Sequence, residues 1–301
     1  MRSTAVNLTH IKEQMFAAYR LTAKQSELKM EIRNIAVVLD IDAVDPDSVA
    51  LASDLARRHH ATLIGIAAAE PPILLTGPDG GDAAAAFYAE QRLQIEASLG
   101  AAGQNFAALV PSGVKHQWTE AVQRPDIAII GMARRVDLII IGSSVKVPAT
   151  GQAIDVSAVL LGSGRPVLIA AAGQRKLKAN KIVVAWKDTK EARRAVVEAL
   201  PFLKAADEVS VIVVDEGNLA TERASMLDAV AWLQSHEVKA SGDVLPDTGG
   251  IAQTITQAAT AAGADLVVSG AYGHSRLREW LLGGMTRDLL ATPGISRLLS
   301  N

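Results

Sequence analysis

The chain of 301 residues carries 30 basic and 32 acidic side chains, a net charge of -2, and so offers no clustered basic face for nucleic acid. It has no cysteine, which excludes a disulfide framework, a thiolate metal site and a thiol nucleophile; aromatics, at 4%, are too scarce for base-stacking platforms. Apolar residues make up 49%, enough to fill two modest cores, a typical domain running to roughly 100–200 residues. No apolar run suits a signal-peptide h-region or approaches the roughly 18 residues of a membrane span. The chain therefore reads as cytoplasmic, with no membrane partner.

Residues 1–29 leave two readings open: an amphipathic helix carrying Ile11, Met15, Phe16 and Leu21, or an artefact of the chosen start codon. Beyond them, Ile35–Asp40 is predicted as a strand, short and apolar without alternation, as a parallel strand covered on both faces should be. Pro46–His59 follows as a helix opened by Asp45 or Asp47, with Val49, Ala52, Leu55 and Ala56 on one face. Ala61–Ala68 is a strand, Gly77–Gly81 a loop, Ala83–Ala102 a helix and Val114–Thr119 a strand. Pro125–Arg135 is a helix with proline just inside its start, where its missing N–H is not needed. Strand Asp137–Ile141, a helix around Ile154–Leu161 and strand Pro166–Ala170 complete the first half. The second half repeats this order: strand Lys181–Trp186, helix Glu191–Leu203, strand Val209–Val214, helix Leu219–His236, and a strand beginning at Glu237–Ala240. Helix Gly250–Ala261, strand Asp265–Ser269, helix Thr286–Leu290 and a short last strand, Ser296–Leu299, close the chain.

The repeat is also visible in the residues. NIAVVLDID from Asn34 matches KIVVAWKDT from Lys181, and VDLIIIGSS from Val136 matches ADLVVSGAY from Ala264. Strands alternating with helices imply an α/β fold of two tandem Rossmann-like domains, each a five-stranded parallel sheet with helices on both faces. The expected division is an extension at 1–30, a first domain at 31–172, a polar linker at 173–180 and a second domain at 181–301.

The stretch that carries chemistry is DLVVSGAYGHSRLREWLLGGMTRDLL, Asp265–Leu290. Gly270 ends a strand, where open parallel sheets bind ligands. Gly273 follows, and then Gly283 and Gly284 precede a helix start, whose unpaired N–H groups favour an anion. Thr286 offers a cap or a hydroxyl for a phosphate oxygen, and Arg276 and Arg287 are nearby cations. Each signal has a plainer reading. A glycine pair after a strand is usually a turn, His274 a solvated loop histidine, and Tyr272 a rim residue. Arg276, Arg278 and Glu279 read equally as a solvated face. Asp137 and Asp265 read as turn contacts, and Asp40, Asp42, Asp45 and Asp47 as a solvated loop and helix cap, without a calcium-loop pattern.

Gly270, Gly273 and Gly283 fit the spacing G-x2-G-x9-G, and with the words GAYGHSRLREWLLGG around them the stretch resembles the nucleotide loop of universal stress proteins. The resemblance extends over about 31–301 through the tandem repeat. It implies the adenine nucleotide alpha-hydrolase-like version of the fold and a pocket for ATP or AMP in the second repeat. That pocket would comprise Ala185, Trp186, Lys187 and Val214 at the strand ends with Gly270, Tyr272, Gly273, His274, Arg276, Gly283, Gly284, Met285 and Thr286, and any metal would be magnesium carried by the nucleotide. Three departures stand out. Gly284 replaces the family's Ser, Thr or Asn. Lys187 stands where the family has Asp. The first repeat keeps Asp40 but has Val145 where a second glycine is wanted.

No nucleophile elbow, zinc helix or P-loop motif occurs in the sequence, and no general base is identifiable near Gly283. No catalytic residue is predicted, and turnover, if any, is slow. The alternatives are a ligand-free tandem scaffold working through unidentified protein partners, and an adenylate-forming or flavin-carrying enzyme whose motifs are missing. The two repeats are expected to pack as an internal pseudo-dimer through edge strands, with a homodimer open as a further step.

Overall fold

The computed structural model of the chain describes residues 31–72, 81–142, 154–271 and 295–301. The chain divides between Glu31 and Ile32, and among the described residues the larger unit, Ile32–Asn301, holds ten strands and seven helices. The first half runs β1 (Asn34–Val38), α1 (Pro46–Arg58), β2 (Thr62–Ala69), α2 (Gly81–Leu109), β3 (His116–Val122), α3 (Pro125–Met132), β4 (Leu138–Ile141), α4 (Val156–Ser163) and β5 (Val167–Ile169). The second runs β6 (Lys181–Ala185), α5 (Lys190–Leu203), β7 (Glu208–Asp215), α6 (Leu219–Ser235), β8 (Ala240–Pro246), α7 (Ile251–Ala261), β9 (Leu266–Gly270) and β10 (Ser296–Ser300). The extension 1–30, the loop at 77–80, Val145 and the helix expected at Thr286–Leu290 lie outside the described residues.

All ten strands form one sheet in the order β3-β2-β1-β4-β5-β10-β9-β6-β7-β8. Each half is a five-stranded parallel sheet, and the halves join where β10 runs antiparallel to β5, with Leu298 opposite Leu168. On one face a single apolar cluster spans both halves. It takes in Leu51 and Leu55 of α1, Phe202 and Leu203 of α5, Leu233 of α6, and Leu168 and Leu298 at the join. On the other face the core is divided, one cluster under α3 and α4 and another under α7. Most inner strands are buried on both sides and read as apolar runs; β10, SRLLS, is buried although Ser296, Arg297 and Ser300 are polar. The outermost strands, β3 and β8, are different. HQWTEAV and ASGDVLP are largely exposed and polar, and they lie further along the chain than the apolar residues suggested, at 116–122 and 240–246. Helix α2 also runs past Ala102 to Leu109, because Phe106 continues its buried stripe.

The repeat extends to its joints. Asp137 Oδ2 accepts from the amides of Arg33 and Asn34, both at 2.9 Å, and Asp265 Oδ2 accepts from the Asn180 amide at 3.3 Å. In both halves the aspartate before the fourth strand thus holds the start of the first strand, as a turn contact rather than a reacting group. Asp45 caps α1 by accepting from the Asp47 and Ser48 amides, and Thr189 caps α5 by accepting from the Ala192 amide. Asp40 Oδ1 accepts from the Asp42 amide at 2.9 Å, so part of the aspartate cluster is spent on the loop itself. No group of metal-ligating side chains occurs among the described residues. None of the described helices is long and apolar enough to cross a membrane.

The repeats also meet at the helix ends. His59, the C-cap of α1, sets its ring edge-on to Phe202 of α5 with centroids 5.7 Å apart, and Arg58 donates to the Leu177 carbonyl at 2.6 Å. Burial, with Arg58 and His60 adding to it, holds the His59 imidazole below its ordinary pKa. Below the ordinary value the unfolded chain takes up a proton that the folded chain resists, so stability is full above roughly 6.5 and falls as pH drops beneath it. The loss ends once the folded His59 is protonated too. The urea midpoint should therefore drop between about pH 7.5 and about pH 5.5, and less so in His59→Gln; equal drops in both proteins would exclude His59 as the cause.

Candidate functional site

In a doubly wound sheet a crevice opens where neighbouring strands send the chain to opposite sides. In the second half that point lies between β6 and β9: β6 leads to β7 on one side and β9 to β10 on the other. Ala185 pairs with Ser269 at the carboxyl ends of these strands, and Trp186, Lys187 and Gly270 follow directly. Among the predicted pocket residues, Ala185, Trp186, Lys187, Val214 and Gly270 are described, and the fold brings them to the ends of three adjacent strands. Tyr272, Gly273, His274, Arg276, Gly283, Gly284, Met285 and Thr286 lie outside the described residues.

Gly270 has a packing role of its own. A Cβ built on it would lie 2.6 Å from the Ala192 nitrogen and 2.7 Å from the Glu191 carbonyl carbon, because the first turn of α5 lies across the end of β9. Gly142 stands at the same place in the first half, where an added Cβ would collide with Ser48 and reach within 3.2 Å of Asp45 in the first turn of α1. The start of α5 is already electrically satisfied. Thr189 caps it, and Glu191 in its first turn is buried, the arrangement a helix dipole favours. The α5 start is therefore a poor seat for a phosphate.

The other strand-end residues diverge in direction. Lys187 makes an ion pair with Glu216, tying the end of β6 to the end of β7. The loop beyond β7 is closed by its own carboxylates, Asp215 accepting from the Gly217 amide at 2.8 Å and Glu222 from the Glu216 amide at 3.0 Å. Val214 is buried in the cluster beneath α7, with Ala185 packed against it. Trp186 turns to the opposite face, where its Nε1 donates to Ser225 Oγ of α6 at 2.9 Å. There it lines a cavity of about 560 Å3 between α5 and α6.

Sequence reading did not single out that cavity. Its α6 wall includes Thr221, Ser225, Asp228 and Trp232, with Ala224 and Ala229 between them. The spacings of four, three and four residues place them on one helix face. A mixed polar and aromatic stripe of this kind is the signal that could have disclosed the wall; taken singly, its members read as solvated residues.

The described residues fit an adenine nucleotide in part. The switch-point crevice suits the ligand, whereas Lys187 is engaged by Glu216 and the glycines that would grip its phosphates are not among those residues. Comparison with known proteins adds the fold. No family model and no curated protein matches the sequence. Among solved structures, a universal stress protein from Archaeoglobus fulgidus DSM 4304 superposes with a TM-score of 0.61 at 17% identity, over 88% of this chain and 96% of that one. A functionally unknown protein from Pseudomonas aeruginosa PAO1 superposes at 0.54 with 18% identity, over 91% of this chain and 94% of that one. At these identities the likeness is one of fold, and it runs through both halves: the chain has the two-repeat α/β fold of a universal stress protein.

Proposed function

We propose that this chain is a universal stress protein of the tandem type, a stress-response module whose second repeat, 181–301, binds ATP or AMP with slow or no hydrolysis. In this reading 31–172 is a first repeat with a degenerate loop, joined through 173–180. The observation that carries it is the position of Gly270. It ends β9 beside β6 at the switch point of the second half, and from it the sequence continues with Gly273 and Gly283 at the nucleotide-loop spacing. Main-chain amides there would hold the phosphates, as glycine lets the backbone approach a ligand closely. Bound nucleotide would bias a surface that a protein partner meets.

A second reading, a tandem scaffold without a ligand, has its own support. Packing against a helix start accounts for Gly270, and it accounts equally for Gly142 in the half whose loop has lost the glycine spacing. Calorimetry with ATP and AMP separates the two. The nucleotide reading expects one site per chain, lost in Gly273→Val and in Gly283→Val with the melting temperature of the free protein unchanged. If neither nucleotide gives heat or a thermal shift at millimolar concentration, the scaffold reading stands in its place.

A further inference from the structure

We propose that the groove between α5 and α6 is a second ligand site, suited to a small organic cation with an aromatic or branched apolar body. Its volume, about 560 Å3, falls among small-molecule pockets, which run to roughly 300–1,000 Å3. Val196 and Ala229 are buried lining residues, and the Trp186 indole is anchored beside them through Ser225. Trp232 lines the same cavity while remaining 38% exposed, and its ring leans on His236 with centroids 4.3 Å apart. Two indoles line one apolar cavity, and the attraction of an aromatic ring for a cation is strongest for tryptophan and strengthened when water is excluded.

The charges at the rim select the sign of the ligand. Arg193 is paired with Asp188, so these two cancel. Asp228 stands one helical turn before Trp232, is exposed, and has no cationic partner among the described residues. Two carboxylates and one guanidinium leave one negative charge beside the indoles. An ammonium with an apolar body satisfies both features at once, whereas an anion would meet Asp228. The site is thus separate in chemistry from a phosphate-gripping loop, and it does not depend on nucleotide binding.

The full chain, without nucleotide, is titrated with benzyltrimethylammonium, benzyl alcohol and benzoate, followed by calorimetry and saturation-transfer NMR. The cation should bind at one site per chain, about fivefold more tightly than benzyl alcohol, the size expected of a cation–π contact at a partly exposed ring, and benzoate should be weakest. Asp228→Asn should bring the cation and the alcohol closer together, and Trp232→Ala should weaken both. Both positions are exposed on α6, so neither change threatens the fold, and unchanged melting curves check this. The site is refuted by an absence of saturable binding, by benzoate binding as well as the cation, or by affinities that neither substitution alters. A dimer that Trp232→Ala dissolves would also overturn it, assigning the groove to a second copy of the chain.

Discussion

Leu298→Ala should destabilise the whole unit, not the second repeat alone, by about 3 kcal/mol, the middle of the range for emptying a buried leucine site. Leu298 is fully buried in β10, directly opposite Leu168 of β5, and both belong to the cluster that spans the two halves. Its neighbour Leu299 lies on the other face, in the cluster beneath α3 and α4, so β10 helps build the core of the first half. Chemical denaturation followed by far-ultraviolet circular dichroism should show one transition in the wild type, shifted as a whole in the variant. A cycle with Leu168→Ala should give a coupling energy of about 1 kcal/mol, as expected for residues in contact. Two separate transitions, with only the later-melting or earlier-melting half moved, would show that the repeats fold independently across the join.

Gly270→Ala should cost about 3 kcal/mol, and Gly142→Ala distinctly less, although the two glycines hold equivalent places. Overpacking typically costs about 1–3 kcal/mol, more where nothing can yield. At Gly270 the new methyl meets backbone, the Ala192 nitrogen and the Glu191 carbonyl carbon, and the helix start would have to lift from the sheet. At Gly142 it meets first the Ser48 hydroxyl, which can rotate away at the loss of its 2.5 Å hydrogen bond to Asp45. Ser48→Ala should therefore relieve part of the Gly142→Ala penalty, whereas no truncation near α5 relieves that of Gly270→Ala. Urea midpoints decide the matter, and equal costs at both glycines would refute the distinction. The same measurement bears on function. Loss of ligand binding in a Gly270 variant would report a displaced helix, so Gly273 and Gly283 are the positions to change.

The buried architecture was legible because its physical signals are local. Ile35–Val38 and Leu138–Ile141 are apolar without alternation, Pro46 and Pro125 stand at helix starts, and Asp45 is a cap, so these strands and helix starts fall within a residue or two of expectation, although the helix from Pro125 ends at Met132, three residues before the expected Arg135. The strands at the two ends of the sheet were less so. Half of each faces water, and His116–Val122 and Ala240–Pro246 carry too few apolar residues to show where pairing begins. The candidate site divides in the same way. Gly270 was correctly placed at a strand end, but its sequence neighbours could not disclose that a helix 78 to 79 residues earlier lies against it, since Glu191 and Ala192 reach it only through the tertiary fold. Likewise nothing next to Lys187 foretold Glu216 as its partner, because adjacency of β6 and β7 brings them together.

The antiparallel join has a geometric corollary for ligand chemistry. Reversing direction between β5 and β10 sends the strand tips of one repeat to the upper rim and those of the other to the lower rim. Asp40 and Gly142 therefore look out from one margin, Lys187 and Gly270 from the opposite one. Among the described residues, the aspartate retained by the first repeat thus stands at the margin opposite the lysine of the second.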